Sequence, residues 1–397
     1  MLPSLLSTPK KVHFLLFIPL ALSTSTFWYL NVAETQSPAM ATSRAIPSTM
    51  KAWTYSKKGH YRDVLRLSTI PAPKPPTGHN VVVKIAYTAL STGEIKIMKQ
   101  MPQILIPKNS IPAMDYSGVI MEIGPSAPAN LHVGDRVFGM LEARNIMQGI
   151  GTLCEYINLD PKRVMVAPVP ESVTLKDAGA LGASANIAYL ICKHGSVLPG
   201  NNYRVLVNGA SGTCGSVFVQ GVLAMGAKEV VGTCSAPNAE LVMGLGASRV
   251  IDYKANAPLP EFLAKEYGEP GKQFDFILDA VGSQDLYTKS PKYLREGGVF
   301  VNLGAIAHGP VLTTFHWFLN SIRPTWLGGT PRKFVMFSGN VDLESADWIV
   351  RHAAAGKLKS IIENEFDFDK VLEAYDMVDA GKVRGKLVVK VGEVADA

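Results

Sequence analysis

Three glycines, at positions 209, 212 and 215, follow directly on the run Val205-Leu206-Val207-Asn208. An alternating small and apolar stretch from Val217 to Met225 comes next and reads as a helix. Strand, glycine turn and helix N-terminus in that order form a seat for a pyrophosphate. Glycine lets the backbone turn sharply and approach phosphate oxygens, while free N–H groups and the helix dipole favour the anion. A glycine triplet alone is a weak signal, and the flanking elements give this one its weight. Gly209, Ser211, Gly212, Thr213, Cys214 and Gly215 are therefore the candidate contacts for a dinucleotide.

The choice of dinucleotide is decided at the end of the next strand signal, Val230–Thr233. An NAD site usually carries an Asp or Glu there, accepting from the adenosine ribose hydroxyls. This chain has Thr233-Cys234-Ser235-Ala236-Pro237-Asn238 and no carboxylate until Glu240, which favours NADPH over NADH. No Arg or Lys stands in that segment, so Ser235, Asn238 and Tyr253 are the candidates for holding the extra phosphate. The alternative for these three is a polar loop and a half-buried aromatic. Leu303 and Gly304, at the end of a later strand signal, complete the expected cofactor-binding set.

These residues need a frame. Strand signals at Val205–Val207, Val230–Thr233, Arg249–Ile251, Phe274–Leu278 and Val299–Leu303 alternate with helical segments such as Asn238–Leu245 and Leu286–Leu294. That alternation predicts a doubly wound parallel sheet. Ahead of it the pattern is β-like from Met50, with strands at Val81–Ile85 and Val119–Ile123 and a turn into a short strand at Gly134–Gly139. The β block runs to about Pro170, and Leu175 to Lys193 turns helical. The final stretch, Gly381 to Val391, reads as a strand that pairs outside the nucleotide sheet. The expected organisation is a β-domain from 50–174 and 325–397 and a nucleotide domain from 175–324.

Bulk properties narrow the function. At 397 residues, two domains are the expectation, and 47% hydrophobic content supplies ample core. The net charge of +6 is scattered without a basic run, which argues against a nucleic-acid partner. Four cysteines, at 154, 192, 214 and 234, contain no CxxC pair and suit a reducing compartment. The leader is less specific. Phe14 to Leu30 is apolar and follows Lys10-Lys11, so it reads as a signal, an anchor or an import segment, and Met50 is an alternative start. Membrane contact is expected only through residues 14–30, with the body in the cytosol or an organelle interior.

Taken in order, several short motifs resemble the medium-chain dehydrogenase/reductase superfamily, in its zinc-free quinone oxidoreductase-like branch. They include Asp115-Tyr116-Ser117-Gly118-Val119, Val133-Gly134-Asp135-Arg136-Val137, Asn208-Gly209-Ala210-Ser211-Gly212, Asp279-Ala280-Val281-Gly282 and Gly385-Lys386. The resemblance implies an α/β protein with a GroES-like β-domain, completed by the C-terminal segment, plus a Rossmann domain. It places the active site between them and implies a homodimer. Zinc enzymes of the superfamily carry a Cys and a His in stretches that correspond to Ala89–Glu94 and Ala113–Tyr116, where this chain has neither. His132 and His308 read as surface or loop residues, so the metal reading is none.

Without a metal Lewis acid, the simpler chemistry is hydride delivery to a quinone or to the β-carbon of a conjugated carbonyl. The protein then supplies orientation and a donor for the developing oxyanion. Relatives place polar groups in an Asn-Pro-x-Asp-x-Lys stretch, matched here by Ser91-Thr92-Gly93-Glu94-Ile95-Lys96. Lys96 is the candidate donor to ribose or substrate, against a solvated lysine beside Glu94. Tyr116 is a candidate proton donor, against a packed strand tyrosine. Ile187, in Asn186-Ile187-Ala188-Tyr189, replaces a hydroxyl residue of the relatives. The expected function is a zinc-independent, NADPH-dependent reductase of small-molecule quinones or α,β-unsaturated carbonyls. A trans-acting enoyl reductase for a carrier-bound intermediate and a non-catalytic NADPH-binding regulator remain as alternatives.

Overall fold

A computed structural model describes residues 46–194, 202–303, 309–337 and 341–394. The leader segment 14–30, Gly304 and His308 lie outside the described residues. Everything below belongs to the unit Ala45–Ala397.

The N-terminal part begins with an antiparallel pair, β1 (Thr49–Thr54) and β2 (Arg66–Pro71). Next comes β3 (Val81–Leu90), whose ten residues are nearly all buried. A strand covered on both faces reads as a continuous apolar run, and β3 has that character. It pairs antiparallel with β4 (Asp115–Ile123), which pairs with β5 (Arg136–Met140). β6 (Tyr156–Leu159) and β7 (Ala167–Pro168) close this side of the sheet. Val81, Val83, Ile85, Ile120 and Val137 fill its core, each side chain contributing about 1.5–3 kcal/mol on burial.

The second part is a six-stranded parallel sheet. Its strands are β8 (Arg204–Asn208), β9 (Glu229–Cys234), β10 (Arg249–Asp252), β11 (Phe274–Asp279), β12 (Leu294–Asn302) and β13 (Lys333–Met336). Their spatial order is β10-β9-β8-β11-β12-β13, so the chain reverses direction across the sheet between β8 and β11. A crevice opens at the carboxyl ends of the strands at such a switch point. Val205 and Val207 face one core with Phe218, Phe276 and Trp348, while Leu206 faces another with Ile277 and Phe300. Helices cover both faces, as expected for a doubly wound fold.

The chain then returns to the first sheet. β14 (Ile362–Asp367) pairs parallel with β15 (Lys386–Lys390), and β15 pairs antiparallel with β3, outside the nucleotide sheet. One expected boundary moves. The nucleotide domain does not end at 324, because β13 pairs parallel with β12 and the helix Glu344–Ala354 packs on the helix Gly182–His194. A second expectation is shortened. The helix predicted over Leu286–Leu294 stops at Thr288, a 3-10 turn with Pro291 follows, and Leu294 already begins β12. Proline removes a donor that a continuing helix would need.

Candidate dinucleotide-binding and active site

The glycine turn has the geometry that its spacing predicts. Gly209 follows β8 with φ +84°, in the left-handed region that glycine enters without cost. Gly215 lies in the first turn of the helix Thr213–Ala224, and a Cβ there would sit 2.2 Å from the Gly209 carbonyl oxygen. Gly212 is different. It is the helix N-cap, no side chain caps it, and a Cβ there would meet only an ordinary contact at 3.4 Å. The fold therefore needs glycine at 209 and 215, whereas at 212 the missing side chain leaves the open helix end accessible. Uncapped first-turn N–H groups there are suited to an anion, so these residues fit a pyrophosphate.

Behind the turn, three strand ends are tied together. Thr233 Oγ1 donates to Asn208 Oδ1 at 2.6 Å and accepts from Gly209 N at 3.1 Å. Asn208 Nδ2 donates to Asp279 Oδ1 at 2.8 Å. Asp279 also accepts from the N–H groups of Val281, Gly282 and Ser283. Burial pushes its carboxyl pKa up against these bonds. Leu303 N donates to Asp279 O at 2.9 Å, which brings the expected Leu303 to the same crevice.

The expected rim residues also converge. Asn238 Nδ2 lies 3.2 Å from Ser211 Oγ and 3.4 Å from Ser235 Oγ. Tyr253 N donates to Cys234 O at 3.2 Å, which places Tyr253, 45% exposed, beside the end of β9. Sequence reasoning missed a cation here. Lys254, in the turn after β10, has its Nζ 5.9 Å from the Tyr253 ring centroid. The neighbouring Asp252 Oδ1 is turned to the Lys254 N–H at 2.9 Å.

Two expected contacts play other parts in this geometry. The Thr213 hydroxyl donates to Gly385 O at 2.5 Å, so only its main chain is free for a phosphate. Burial pushes the Cys214 thiol up to about 11, which keeps it a neutral thiol in the first turn of the helix.

On the first domain, Ser91 and Glu94 form a capping box at the start of the helix Thr92–Gln100. Glu94 is 4% exposed. It accepts from Ser91 N at 3.1 Å, Ser91 Oγ at 3.0 Å and Tyr375 Oη at 2.8 Å. Burial pushes its carboxyl up to about 7, opposed by those hydrogen bonds and by the charge of Lys386. Lys96 is half-buried two residues on, and no ion pair joins it to Glu94 among the described residues. Glu94 is turned inward to Ser91 and Tyr375 instead.

Tyr116 is a correction. Its side chain is wholly buried in β4, its hydroxyl donates to Met165 O at 2.8 Å, and burial pushes its phenol well above the usual tyrosine range. In this geometry it packs in the core and anchors β4 to Met165 O. Asn186 Oδ1 accepts from Asp342 N at 3.0 Å and from Ser345 Oγ at 2.9 Å, holding one helix against another.

A further pair escaped sequence reasoning. Asp115 and Lys386, 3% and 4% exposed, form a buried ion pair, and Asp115 Oδ1 accepts from Ala183 N at 2.5 Å. The only sequence signal was that both lie in short motifs quoted above. Among the described residues, no three His, Cys, Asp or Glu side chains are grouped to hold a metal. Among the same residues no helix is long and apolar enough to cross a membrane.

Residues 77–171 match the family model of the alcohol dehydrogenase GroES-like domain, and residues 245–389 match that of the zinc-binding dehydrogenase. A medium chain reductase of Acremonium sp is 34% identical, over 87% of this chain and 99% of its own. A trans-enoyl reductase of Aspergillus terreus is 29% identical, over 88% and 98%. The structure of a quinone oxidoreductase from Coxiella burnetii superposes with a TM-score of 0.70 at 21% identity, covering 87% of this chain and 100% of that one.

Proposed function

The chain belongs to the medium-chain dehydrogenase/reductase superfamily, quinone-oxidoreductase-like, and from that premise we propose a zinc-independent reductase that uses NADPH. Its substrates in this reading are α,β-unsaturated carbonyl compounds or quinones. The observation that carries the NADPH reading is the Ser211–Asn238–Ser235 cluster, with no carboxylate in the loop after β9 and Lys254 beside Tyr253 in the turn after β10. A 2′-phosphate needs donors and a cation, whereas a bare ribose calls for a carboxylate. When bound, the cofactor supplies the hydride.

The protein's own part is to bind and orient. The open helix end at Gly212 holds the pyrophosphate, and the Thr233–Asn208–Asp279 chain fixes the strand ends beneath it. Lys96 is the group in this account that donates to ribose or to the oxygen where negative charge develops. The zinc-free reading is supported by the side chains in Ala89–Glu94 and Ala113–Tyr116, which offer neither Cys nor His.

The relative from Aspergillus terreus, named a trans-enoyl reductase, favours one variant of this reading, in which the enone is carried on a partner. Binding titrations of the full chain with NADPH and NADH test the cofactor assignment. Tighter binding of NADPH by at least tenfold is expected, and equal or tighter binding of NADH would refute it.

A further inference from the structure

We infer that the buried Asp115–Lys386 pair is a positioning device, which sets the shape of the glycine turn from the other domain. The inference rests on the reading of that turn as the dinucleotide seat.

The connection can be followed bond by bond. Gly385 N donates to Ser211 O at 3.2 Å, and Gly385 O accepts from Thr213 Oγ1 at 2.5 Å. Both faces of one peptide residue thus grip both sides of Gly212. Gly385 has φ +69°, and a Cβ there would lie 2.1 Å from the Ile361 carbonyl oxygen, so a larger residue cannot stand in for it. Lys386 N donates to Ile361 O at 2.8 Å, and the Lys386 ammonium is held by Asp115. Asp115 in turn accepts from Ala183 N, at the start of the helix Gly182–His194. One latch therefore ties the turn, the first sheet and the helix that leads into the nucleotide domain.

Both charges of the Asp115–Lys386 pair are buried, so the pair is fixed in one geometry, and removing one partner leaves the other uncompensated. Neither the Asp115 carboxylate nor Gly385 is needed to touch the dinucleotide. Their effect runs through Ser211 and Thr213, whose main chain borders the open helix end. Loss of the latch therefore weakens dinucleotide binding and leaves the chemistry of the bound complex largely unchanged.

The experiment measures NADPH dissociation constants by fluorescence for wild type, Thr213→Val, Thr213→Ser, Asp115→Asn and the double variant Thr213→Val/Asp115→Asn. Thr213→Val is expected to weaken NADPH binding about tenfold. Thr213→Ser, which keeps the hydroxyl, is expected to restore it to within about twofold. The double variant should lose no more than the worse single variant, because both break one latch. Losses that multiply, or unchanged binding by Thr213→Val in a folded protein, would overturn the inference. Should Asp115→Asn fail to fold, the paired neutral variant Asp115→Leu/Lys386→Leu takes its place, since it leaves no lone buried charge. Failure of wild type to bind NADPH at all would instead sink the reading of the turn.

Discussion

Asn238 Nδ2 lies 3.2 Å from Ser211 Oγ, joining the loop after β9 to the glycine turn after β8. In the proposed reading, this bond closes the rim at the point where an adenosine 2′-substituent would rest. A carboxylate introduced there would repel a 2′-phosphate and accept from ribose hydroxyls instead. Ser235→Asp should therefore weaken NADPH binding more than tenfold while NADH binding holds or improves. Lys254→Ala should weaken NADPH and leave NADH unchanged. Parallel titrations of both cofactors check the pair.

Two neighbouring glycines should behave differently. Gly215→Ala forces a Cβ to 2.2 Å from a backbone oxygen, so the fold should lose about 1–3 kcal/mol together with cofactor binding. Gly212→Ala meets only an ordinary contact, so its melting temperature should stay near wild type. Its dinucleotide affinity should still fall, because the new methyl group stands at the open helix end. Thermal melts beside binding titrations separate the two.

Glu94 predicts a pH dependence of stability. Its folded pKa of about 7 lies above the ordinary 4.5, because burial disfavours the carboxylate. The native state then holds the proton more tightly than the unfolded chain. The contribution is fully present below pH 4.5 and is lost as pH rises through about 7. Wild type should lose about 3 kcal/mol relative to Glu94→Gln between those limits. Urea melts of both proteins across pH 4.5 to 8 measure it, and parallel profiles would contradict the assignment.

The two candidates on the first domain should part company. Lys96→Met should lower kcat/KM about 10- to 100-fold with little change in melting temperature, if it aids the developing oxyanion. Tyr116→Phe should keep kcat and cost about 1 kcal/mol of stability, through the lost bond to Met165 O. Steady-state kinetics and thermal melts decide both.

Much of this was legible because it is local. Val205–Gly215 holds a strand, a turn and a helix start within eleven residues, and glycine spacing carries their geometry. Short apolar runs between helical segments likewise mark the parallel strands. The boundary near 325 was misplaced because β13 is a short edge strand with little pattern of its own. Tyr116 could not be assigned from sequence, since a strand tyrosine looks the same whether its hydroxyl meets Met165 O or solvent. The Asp115–Lys386 and Glu94–Tyr375 contacts join residues 271 and 281 positions apart. Local pattern holds no information on such pairs, and only the packing of β15 and the helix Val371–Asp379 against the first sheet reveals them.

The central claim is tested most directly by NADPH consumption. The full chain would be offered a panel of quinones and conjugated enones, free and as thioesters, with a metal chelator present and NADH run in parallel. The account predicts turnover that survives chelation and favours NADPH. Activity abolished by the chelator, or turnover with NADH as good as with NADPH, would contradict it.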